Sequence, residues 1–392
     1  MARIIFHVDV NNAFLSWTAV YLLKNGYDRD IREIPSVIAG DEKSRHGVVL
    51  AKSPIAKKYG VVSAETVYSA KKKCKDLEIY PPQYDFYVEM SNKFYEYLKE
   101  YTPIIERASI DECFLDLTNT KYLYDDIMSL AYKIKNDIKQ MFGFTVNVGI
   151  GNNKLCAKMA SDFLKPDKVH TLFMEEIENK MWPLDVNNLL FVGKSTANIL
   201  KSIGINTIGE LANANRDILK KYFKNRVDDL INSANGIDNS KVEVNHSLNK
   251  CISISRVLRE DTNDSKILKK ILLDMADSVG LRARKKNLYA STIAITFKSS
   301  DFRNFSHQEK LSNPTNNTMD IYHKILSLYE GIDKNIKIRN IGIRLGDLKV
   351  IKNEQVSLFD NKKDDNLQKL IDNINSKYDN SVIMPAIFFE NK

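Results

Sequence analysis

The sequence predicts an α+β fold divided into several domains, and three features lead to this prediction. With 392 residues, 43% of them hydrophobic, the chain is long enough for about two to four separate cores. Strand-like and helix-like segments alternate, but without the regular rhythm of a doubly wound parallel sheet. The excess positive charge is confined to one stretch in the C-terminal half, which indicates a separate basic module.

The first half of the chain supplies most of this alternation. Residues 3–10 (RIIFHVDV) have the apolar pattern of a buried strand that ends in an acid, Asp9. A helix is predicted over residues 12–26, and residues 46–61 predict a strand followed by a short helix. The remaining segments are a strand at 108–118, a helix at 124–143, a strand at 144–151 and a helix at 152–165.

Short helices dominate from Met181 onwards. The stretch 189–213 has two glycine-containing turns between helical segments, a pattern typical of a helix-hairpin-helix whose helix N-termini bind phosphate. Gly193 and Lys194 are the candidate phosphate contacts, although Phe191 stands where a glycine is commoner. An ordinary corner between two helices would give the same pattern.

The net charge of +8 resides in residues 245–350, which contain 19 Lys and Arg against 11 Asp and Glu. This stretch predicts a strand, a helix, a strand, a polar loop, a helix and a final strand. Such a local excess is typical of a module that binds nucleic acid, although a lysine-rich solvated surface is an alternative. A polar tail follows from Ile351 and is expected to be partly disordered apart from one helix-like stretch.

Two classes of protein are disfavoured by the composition. No apolar run approaches the ~20 residues of a membrane span, and the N-terminal residues lack the pattern of a signal peptide. The four cysteines are scattered without a CxxC pair, which argues against a disulfide framework or a zinc site. We therefore expect a cytoplasmic protein that does not bind membranes.

Two adjacent acids, Asp111 and Glu112, interrupt the apolar strand ASIDECFLDLT. Because buried carboxylates are costly unless a cation pairs with them, these acids and Asp9 are candidate ligands for Mg²⁺. With substrate phosphates, such a site could hold two ions for an in-line phosphoryl transfer. Neighbouring side chains on a strand point to opposite faces, so either the chain bends at this pair or one side chain reaches round the strand edge. The alternative is a set of solvated acids on an edge strand.

These residues carry a resemblance to a known family. VDVNNAF (8–14), followed later in the chain by SIDE (109–112), resembles the signature pair of the Y-family, lesion-bypass DNA polymerases. The segments GVVLAKSPIAKKYGV (47–61), VGIGNNKLCAKMASDFLKP (148–166) and IRNIGIRL (338–345) match the family in the same order. The resemblance extends over residues 1–350 and is greatest to the bacterial DNA polymerase IV and V branch.

The resemblance implies a right-hand polymerase with several domains. Residues 1–169 would form the palm with inserted fingers at 17–79, and residues 170–238 a helix-hairpin-helix-like thumb. The remaining parts would be a linker (239–248), an α+β little finger (249–350) and a flexible tail (351–392). The implied activity is DNA-templated, low-fidelity addition of dNTPs to a primer 3′ end by two-metal-ion transfer.

The resemblance also implies roles for single residues. Asp9, Asp111 and Glu112, with the backbone carbonyl of Val10, would ligate two Mg²⁺ ions. Phe14 would be the steric gate that excludes ribonucleotides by clashing with a 2′-OH, although a core residue on a helix face is the simpler reading.

The expected nucleotide contacts depart from the family at two positions. Lys165 would contact the incoming triphosphate, and Lys57 lies where the family usually has Arg. Lysine cannot form the two-pronged contact of arginine. Pro54 stands where the family often has Tyr, so it offers neither a hydroxyl nor a backbone donor.

The implied partners are primer–template DNA and the bacterial sliding clamp, and we expect a monomer that joins the nucleoid when bound to DNA. Besides Gly193 and Lys194, the expected DNA contacts are Arg256, Arg259, Arg282, Arg284, Lys298, Arg303, Arg339 and Arg344. In the tail, Gln355, Leu358 and Phe359 of EQVSLFD resemble the clamp-binding peptide. Alternatively, this apolar pair packs against its own domain.

Two other functions are compatible with parts of the pattern. A nucleotide cyclase can use a similar palm and the same acids, but it needs no basic module or clamp peptide. A non-catalytic accessory factor could bind DNA and the clamp, and the altered finger residues would suit it, whereas the intact acids would not.

Overall fold

The computed structural model describes residues 3–41, 47–244, 250–350, 362–378 and 383, with side chains from residue 367 onwards in the last helix. The chain divides into two compact units, unit 1 (Met1–His246) and unit 2 (Ser247–Lys392), each with its own hydrophobic core. Within these described ranges, no helix combines the length and apolar character that crossing a membrane requires.

Unit 1 contains eight strands and eleven α-helices among its described residues. The strands are β1 (Ile5–Val10), β2 (Ser36–Ala39), β3 (Val49–Lys52), β4 (Glu78–Tyr80), β5 (Ile105–Arg107), β6 (Glu112–Asp116), β7 (Val146–Gly151) and β8 (Val169–Leu172). The helices are α1 (Ala13–Lys24), α2 (Pro54–Lys58), α3 (Val67–Lys73), α4 (Tyr84–Lys99), α5 (Ile127–Phe142), α6 (Lys154–Asp162), α7 (Ile177–Lys180), α8 (Lys194–Ser202), α9 (Ile208–Ala212), α10 (Arg216–Phe223) and α11 (Val227–Ala234).

The main sheet of unit 1 has the strand order β5-β6-β1-β7-β8, with β1 at its centre. Its pairs are antiparallel except for β7 and β8. Phe6, Val8 and Val10 belong to the apolar core that includes residues of α4 and α5. Since side chains alternate along a strand, His7 and Asp9 lie on the opposite face, which α6 covers.

A glycine sets how closely α6 lies against this sheet. A Cβ atom at Gly149 in β7 would overlap the carbonyl oxygen of Ala157 and the backbone nitrogen of Ser161. Only glycine permits so close an approach of strand and helix. The result is that α6, and the loop that follows it, lie directly over the end of β1.

Four smaller apolar clusters complete the described part of unit 1, and one of them includes Leu15, Ile31 and Ile38. The strands β3, β2 and β4 form a three-stranded sheet, and its core includes Val37, Val49, Ala56 and Val67. The helices α7–α11 share a third core with part of α6. The short helix predicted after Ser53 is α2. The Ser53 side chain caps this helix by accepting a hydrogen bond from the backbone nitrogen of Ala56.

Unit 2 is an antiparallel sheet covered on one face by two helices. Its elements are β9 (Cys251–Thr262), α12 (Ser265–Lys285), β10 (Tyr289–Ser299), β11 (Asn304–Thr315), α13 (Thr318–Glu330), β12 (Ile338–Lys349) and α14 (Lys362–Lys377). The strand order is β11-β10-β12-β9. Ile293, Ile295 and Phe297 of β10 face the core shared with α12 and α13, so their neighbours on the strand face away from both helices.

One part of unit 2 differs from the sequence prediction and another agrees with it. The polar loop predicted after β10 is the edge strand β11, which pairs with β10 along most of its length. Between Phe305 and Leu311 its residues are polar on both faces, so the apolar alternation that marks a strand is absent. The helix-like stretch predicted within the tail is α14, and Asp372 of this helix forms an ion pair with Arg284 of α12.

Candidate active site

Asp9 and Glu112 face each other across the central strand pair of unit 1. In the antiparallel register of β1 and β6, Asp9 lies directly opposite Glu112, and on its other side it lies opposite Asn147 of β7. Directly opposed residues present their side chains on the same face of a sheet. Asp9 is 4% exposed, so its carboxylate is buried under α6.

Asp111 lies in a bend immediately before β6, which begins at Glu112. The backbone nitrogen of Val10 donates to the carbonyl oxygen of Asp111 over 3.0 Å, which ties this bend to the end of β1. The Asp111 carboxylate accepts a 2.5 Å hydrogen bond from the hydroxyl of Ser109. The chain therefore has the bend that two adjacent acids need in order to serve one site.

Two lysines pair with the acids. Lys165 Nζ contacts the carboxylate of Asp9 and lies 2.8 Å from Asp162 Oδ1. Lys158 Nζ lies 3.0 Å from Glu112 Oε1. In the part of the chain that the structure describes, no three acidic, histidine or cysteine side chains converge on one metal position. The carboxylates of Asp9 and Glu112 are paired with ammonium groups in this arrangement, whereas that of Asp111 accepts the Ser109 hydroxyl.

A buried histidine completes the surroundings of Glu112. His7 is 0% exposed, and its Nε2 lies 3.3 Å from Glu112 Oε2 while its Nδ1 lies 2.8 Å from Ser161 Oγ. The imidazole also packs against the ring of Phe114, with 4.6 Å between the ring centroids. The orientation of Glu112 is thus fixed from two sides, by His7 and by Lys158.

Burial and neighbouring charges shift the pKa values of these groups in opposite directions. The pKa of the Asp9 carboxyl is raised by burial, against the opposing effect of Lys165. The hydrogen bond with His7, assisted by Lys158, lowers the pKa of Glu112 to about 2. Burial lowers the pKa of Lys165, but Asp9 and Asp162 outweigh it, so that the net shift is upward. The site holds two paired carboxylates and a cationic Lys165 near neutral pH.

The donor set fits a hard divalent cation. Carboxylate oxygens are the ligands that Mg²⁺ prefers, and Asp9, Asp111 and Glu112 present them at the ends of two hydrogen-bonded strands. The amines that pair with Asp9 and Glu112 show that this position attracts positive charge. Lysine side chains have several rotatable bonds, so they can exchange one anionic partner for another.

Phe14 lies on the first turn of α1, four residues beyond the end of β1. Its ring stacks on Tyr87 with 5.0 Å between the centroids, and it lies 6.4 Å from the ring of Trp17. The side chain is only partly buried, although it contacts two apolar cores. Phe14 is therefore held rigidly by aromatic neighbours while part of it stays accessible.

The candidate nucleotide contacts of the small sheet lie on and beside α2. Lys57 and Pro54 are both exposed, and Pro54 occupies the first turn of the helix, where no backbone donor is needed. The side chain of Asn12 donates a 2.8 Å hydrogen bond to the carbonyl oxygen of Lys52. This bond links the turn after β1 to the strand that leads into α2.

The helix-hairpin-helix candidates lie at the N-terminus of α8. Gly193 is the N-cap residue and Lys194 the first helical residue, and both are exposed. No heavy atom lies near a Cβ built on Gly193, so this side of the turn is open. Phe191 is 76% exposed and has a φ of 68°, a conformation that glycine adopts more readily than phenylalanine.

One face of the sheet in unit 2 points away from α12 and α13. Over three rows of paired residues, most side chains on this face are small or polar, and none is acidic. Along the sheet from β9 to β11, the rows are Ser253, Arg344, Ala294 and Gln308; then Ser255, Gly342, Thr296 and Ser306; then Val257, Asn340, Lys298 and Asn304. We refer to these residues as the open face. Of the eight basic residues predicted in this unit, Lys298 and Arg344 lie on it.

Several of the other predicted DNA contacts are paired within unit 2. Arg256 lies 2.6 Å from Asp274, Arg303 2.5 Å from Asp301 and Arg339 3.3 Å from Asp261. Arg282 donates a 2.8 Å hydrogen bond to the carbonyl oxygen of Ser253. Arg259 is exposed.

Arg284 requires a correction. Its side chain is 9% exposed and is bonded to Asp372, to the carbonyl oxygen of Asn316 and to the hydroxyl of Thr318. These contacts join α12, α13 and α14, so Arg284 supports the fold and is not available to DNA. The sequence shows only its charge, which does not distinguish a buried arginine from a surface one.

The predicted clamp-binding residues lie outside the described part of the chain, and three residues beside the acids were not predicted. Gln355, Leu358 and Phe359 are outside the residues that the structure describes. Sequence reasoning overlooked His7 and Lys158, although the first lies two residues before Asp9 and therefore on the same strand face. It also overlooked Asn147, which pairs with Asp9 only through the register of β1 and β7.

Comparisons with known proteins identify the family of this chain. The model of the impB/mucB/samB family matches residues 8–162, and that of the family's C-terminal domain matches residues 249–358. DNA polymerase IV of Clostridium acetobutylicum is 47% identical over 100% of this chain and 99% of that protein. DNA polymerase IV 1 of Bacillus subtilis is 33% identical over 97% of this chain and 92% of its own length.

A solved structure bears on the fold. A Y-family DNA polymerase chimera of Dbh and Dpo4 superposes with a TM-score of 0.78, at 24% identity, over 89% of this chain and 100% of that one. The predicted α+β, multidomain right-hand fold is thereby confirmed. Because DNA polymerase IV sequences match along its whole length, the chain belongs to the impB/mucB/samB family, within the Y family of DNA polymerases.

Proposed function

We propose that the DNA-directed, translesion DNA polymerase activity of this chain is carried out at the site formed by Asp9, Asp111 and Glu112. The observation that supports this most directly is the register of β1 and β6, which places Asp9 opposite Glu112 with Asp111 in the adjoining bend. Full-length similarity to DNA polymerase IV favours this function over a nucleotide cyclase and over a non-catalytic accessory factor.

The reaction is the attack of a primer 3′-OH on the α-phosphate of a dNTP, with release of pyrophosphate. The family requires divalent metal, and we propose two Mg²⁺ ions, which when bound would activate the hydroxyl and stabilise the leaving group. Asp9, Asp111, Glu112 and the carbonyl of Val10 would hold them. Lys165, which pairs with Asp9 and is 37% exposed, can exchange that carboxylate for a phosphate oxygen of the triphosphate.

Phe14 would select deoxyribonucleotides. Its ring is fixed by stacking on Tyr87, so it cannot easily move away from an added 2′-OH. Lys57 would meet the triphosphate from the small sheet, because it is exposed on a helix that Ser53 caps. We assign the palm, fingers, thumb and little finger to residues 1–169, 17–79, 170–238 and 249–350, with 239–248 as the linker.

DNA would be held through its phosphates by Lys194, at the N-terminus of α8, and by the open face of unit 2. Arg344 and Lys298 supply positive charge there, and the small side chains between them permit close approach of a backbone without selecting bases. Lys310, exposed on β11 opposite Thr292, is a further contact that we add to this set.

The partners beyond DNA and dNTPs are also proposals. Gln355, Leu358 and Phe359 would bind the sliding clamp as an extended peptide with an apolar pair. We propose a monomer of low fidelity that works in the cytoplasm and joins the nucleoid when it is bound to DNA.

Primer extension on a tailed template, with Mg²⁺ and dNTPs, tests the catalytic site. Asp111→Asn should abolish extension while DNA binding persists, because one metal-ligand charge is lost and the DNA contacts are unchanged. Asp116→Asn is the matched control, since Asp116 is on the same strand but lies opposite Ile5. Equal extension by both variants would show that the site is misplaced. Wild-type protein that binds DNA without extending it, in Mn²⁺ as well, would favour the accessory factor.

A further inference from the structure

Two buried asparagines lie beneath the loop that carries Lys165. Asn147, in β7, is 0% exposed, and Asn11, directly after β1, is 7% exposed. Asn11 Nδ2 donates to Asn147 Oδ1 over 3.1 Å. Neither side chain lies among the proposed metal ligands, and each is nevertheless buried beside the catalytic strands.

The Asn147 amide has a full set of hydrogen-bond partners. Its nitrogen donates to the carbonyl oxygens of Ser161 and Leu164, over 3.0 and 2.6 Å. Its oxygen accepts from Asn11 and from the backbone nitrogen of Lys168, the latter over 3.2 Å. An amide side chain can make four such bonds, so no capacity is left unused.

Asn11 extends this contact to the far side of Lys165. Its Oδ1 accepts a 2.9 Å hydrogen bond from the backbone nitrogen of Asp167 and a 3.0 Å bond from the hydroxyl of Thr145. The two amides therefore bind the backbone at 161 and 164, before Lys165, and at 167 and 168, after it. Asp167 is held further by ion pairs of 2.8 and 2.9 Å to Lys135 and Lys139.

Polar contacts, and not apolar packing, hold this loop. Leu164 is 64% exposed, and Lys165 and Pro166 are also exposed, so apolar burial does not fix this segment. A lysine side chain that must reach both Asp9 and a triphosphate needs its backbone held in a defined position. Misplacement of a contacting group by about 1 Å can cost a large part of its effect.

We infer that Asn11 and Asn147 are positioning residues that hold the 161–168 loop so that Lys165 reaches the triphosphate of the incoming dNTP. This inference rests on the proposed function, since it takes Lys165 as a triphosphate contact. The asparagines act only through the backbone of the loop, so their effect should appear in dNTP affinity and should depend on the presence of Lys165.

A double-variant cycle tests this dependence. Steady-state kinetics on primer–template DNA would compare wild type, Asn147→Ala, Lys165→Ala and the combined variant. Asn147→Ala should raise the KM for dNTP about five- to tenfold with a smaller change in kcat. In the Lys165→Ala background, the same substitution should leave the KM unchanged. Equal increases in both backgrounds would overturn the inference, because the asparagine would then act independently of Lys165.

A binding measurement separates positioning from general damage. The dNTP affinity of the complex with a dideoxy-terminated primer, in Ca²⁺, should fall by the same factor as the KM rises. Asn153→Ala is the matched control, since Asn153 is 6% exposed and donates to the carbonyl of Gly236 instead of to the loop. It should lower the melting temperature without changing dNTP affinity. A matching loss of dNTP affinity in this control would overturn the inference.

The single variants distinguish failure of the positioning role from failure of Lys165 as the triphosphate contact. If Asn147→Ala does not fold, Asn11→Ala, which leaves Asn147 bonded to Ser161, Leu164 and Lys168, replaces it in the cycle. If folded Asn11→Ala and Asn147→Ala both keep the wild-type KM while Lys165→Ala raises it, the positioning role is wrong and the role of Lys165 stands. An unchanged KM in Lys165→Ala would instead remove Lys165 as the triphosphate contact, and the inference with it.

Discussion

An ion pair between Arg284 and Asp372 links α14 to α12, and Asp372→Asn should loosen α14 from the rest of unit 2. Arg284 Nε lies 2.6 Å from Asp372 Oδ2, and Nη2 lies 3.0 Å from Oδ1, so the two side chains form a fork of two parallel bonds. They are 9% and 19% exposed. Leu367 and Leu370 on the same helix are 55% and 56% exposed, whereas Ile371 and Ile374 are partly buried and add apolar contact to the ion pair.

The magnitude follows from this geometry. Removing one partner of a buried ion pair costs about 3–5 kcal/mol. Asp372 is partly exposed and an asparagine would keep one hydrogen bond, so we expect about 2–3 kcal/mol. The loss is local, because Arg284 keeps its bonds to Asn316 and Thr318. Amide protection in α14 should therefore fall about 30- to 150-fold, at a factor of ten for each 1.4 kcal/mol.

Hydrogen exchange followed by mass spectrometry would measure this protection on peptides from residues 362–377. The double variant Asp372→Asn/Asn373→Asp is the matched control, because it keeps the net charge but moves the carboxylate about 100° around the helix, away from Arg284. It should exchange as fast as the single variant. Wild-type protection in Asp372→Asn would refute the reasoning, and protection restored by the double variant would show that net charge, not the fork, docks the helix.

The remaining predictions concern the gate, the DNA contacts and the packing of the palm. Phe14→Ala should increase ribonucleotide incorporation, and an unchanged ratio of rNTP to dNTP use would remove Phe14 as the gate. Arg344→Ala should reduce by about one the slope of log K for DNA binding against log salt concentration. Lys324→Ala, on the helical side of unit 2, should leave this slope unchanged. Equal slopes in the two variants would argue against the open face as a DNA contact. Gly149→Ala should destabilise unit 1 by more than about 3 kcal/mol, because the Cβ would overlap the backbone of α6. A melting temperature within a few degrees of wild type would contradict that account.

Much of the catalytic region could be predicted from local sequence. The apolar run that ends at Asp9 indicates a buried strand with an acid at its end, and the structure has β1 there. The pair Asp111 and Glu112 predicted either a bend or a side chain that reaches round the strand edge, and the described backbone bends where β6 begins. These features depend on residues that are close in sequence, so their pattern is visible without the fold.

The limits of the sequence are clearest in unit 2. Strand β11 was predicted as a loop, because a polar edge strand has no apolar alternation and exists only through its hydrogen bonds to β10. Arg284 was predicted to bind DNA, because charge alone does not reveal burial. The open face likewise depends on the register of four strands, which brings Arg344 and Lys298 onto one surface.

The sequence by itself determined the family, the α+β class and the acids that we propose as metal ligands, since each is encoded by a short run of residues. Only the tertiary structure decided which groups surround those acids. His7, Lys158, Asn147 and Lys165 come from separate segments, and they meet because strand register and the close approach of α6 at Gly149 bring distant backbone together. Contacts between residues far apart in sequence leave no local pattern, so folding alone establishes them.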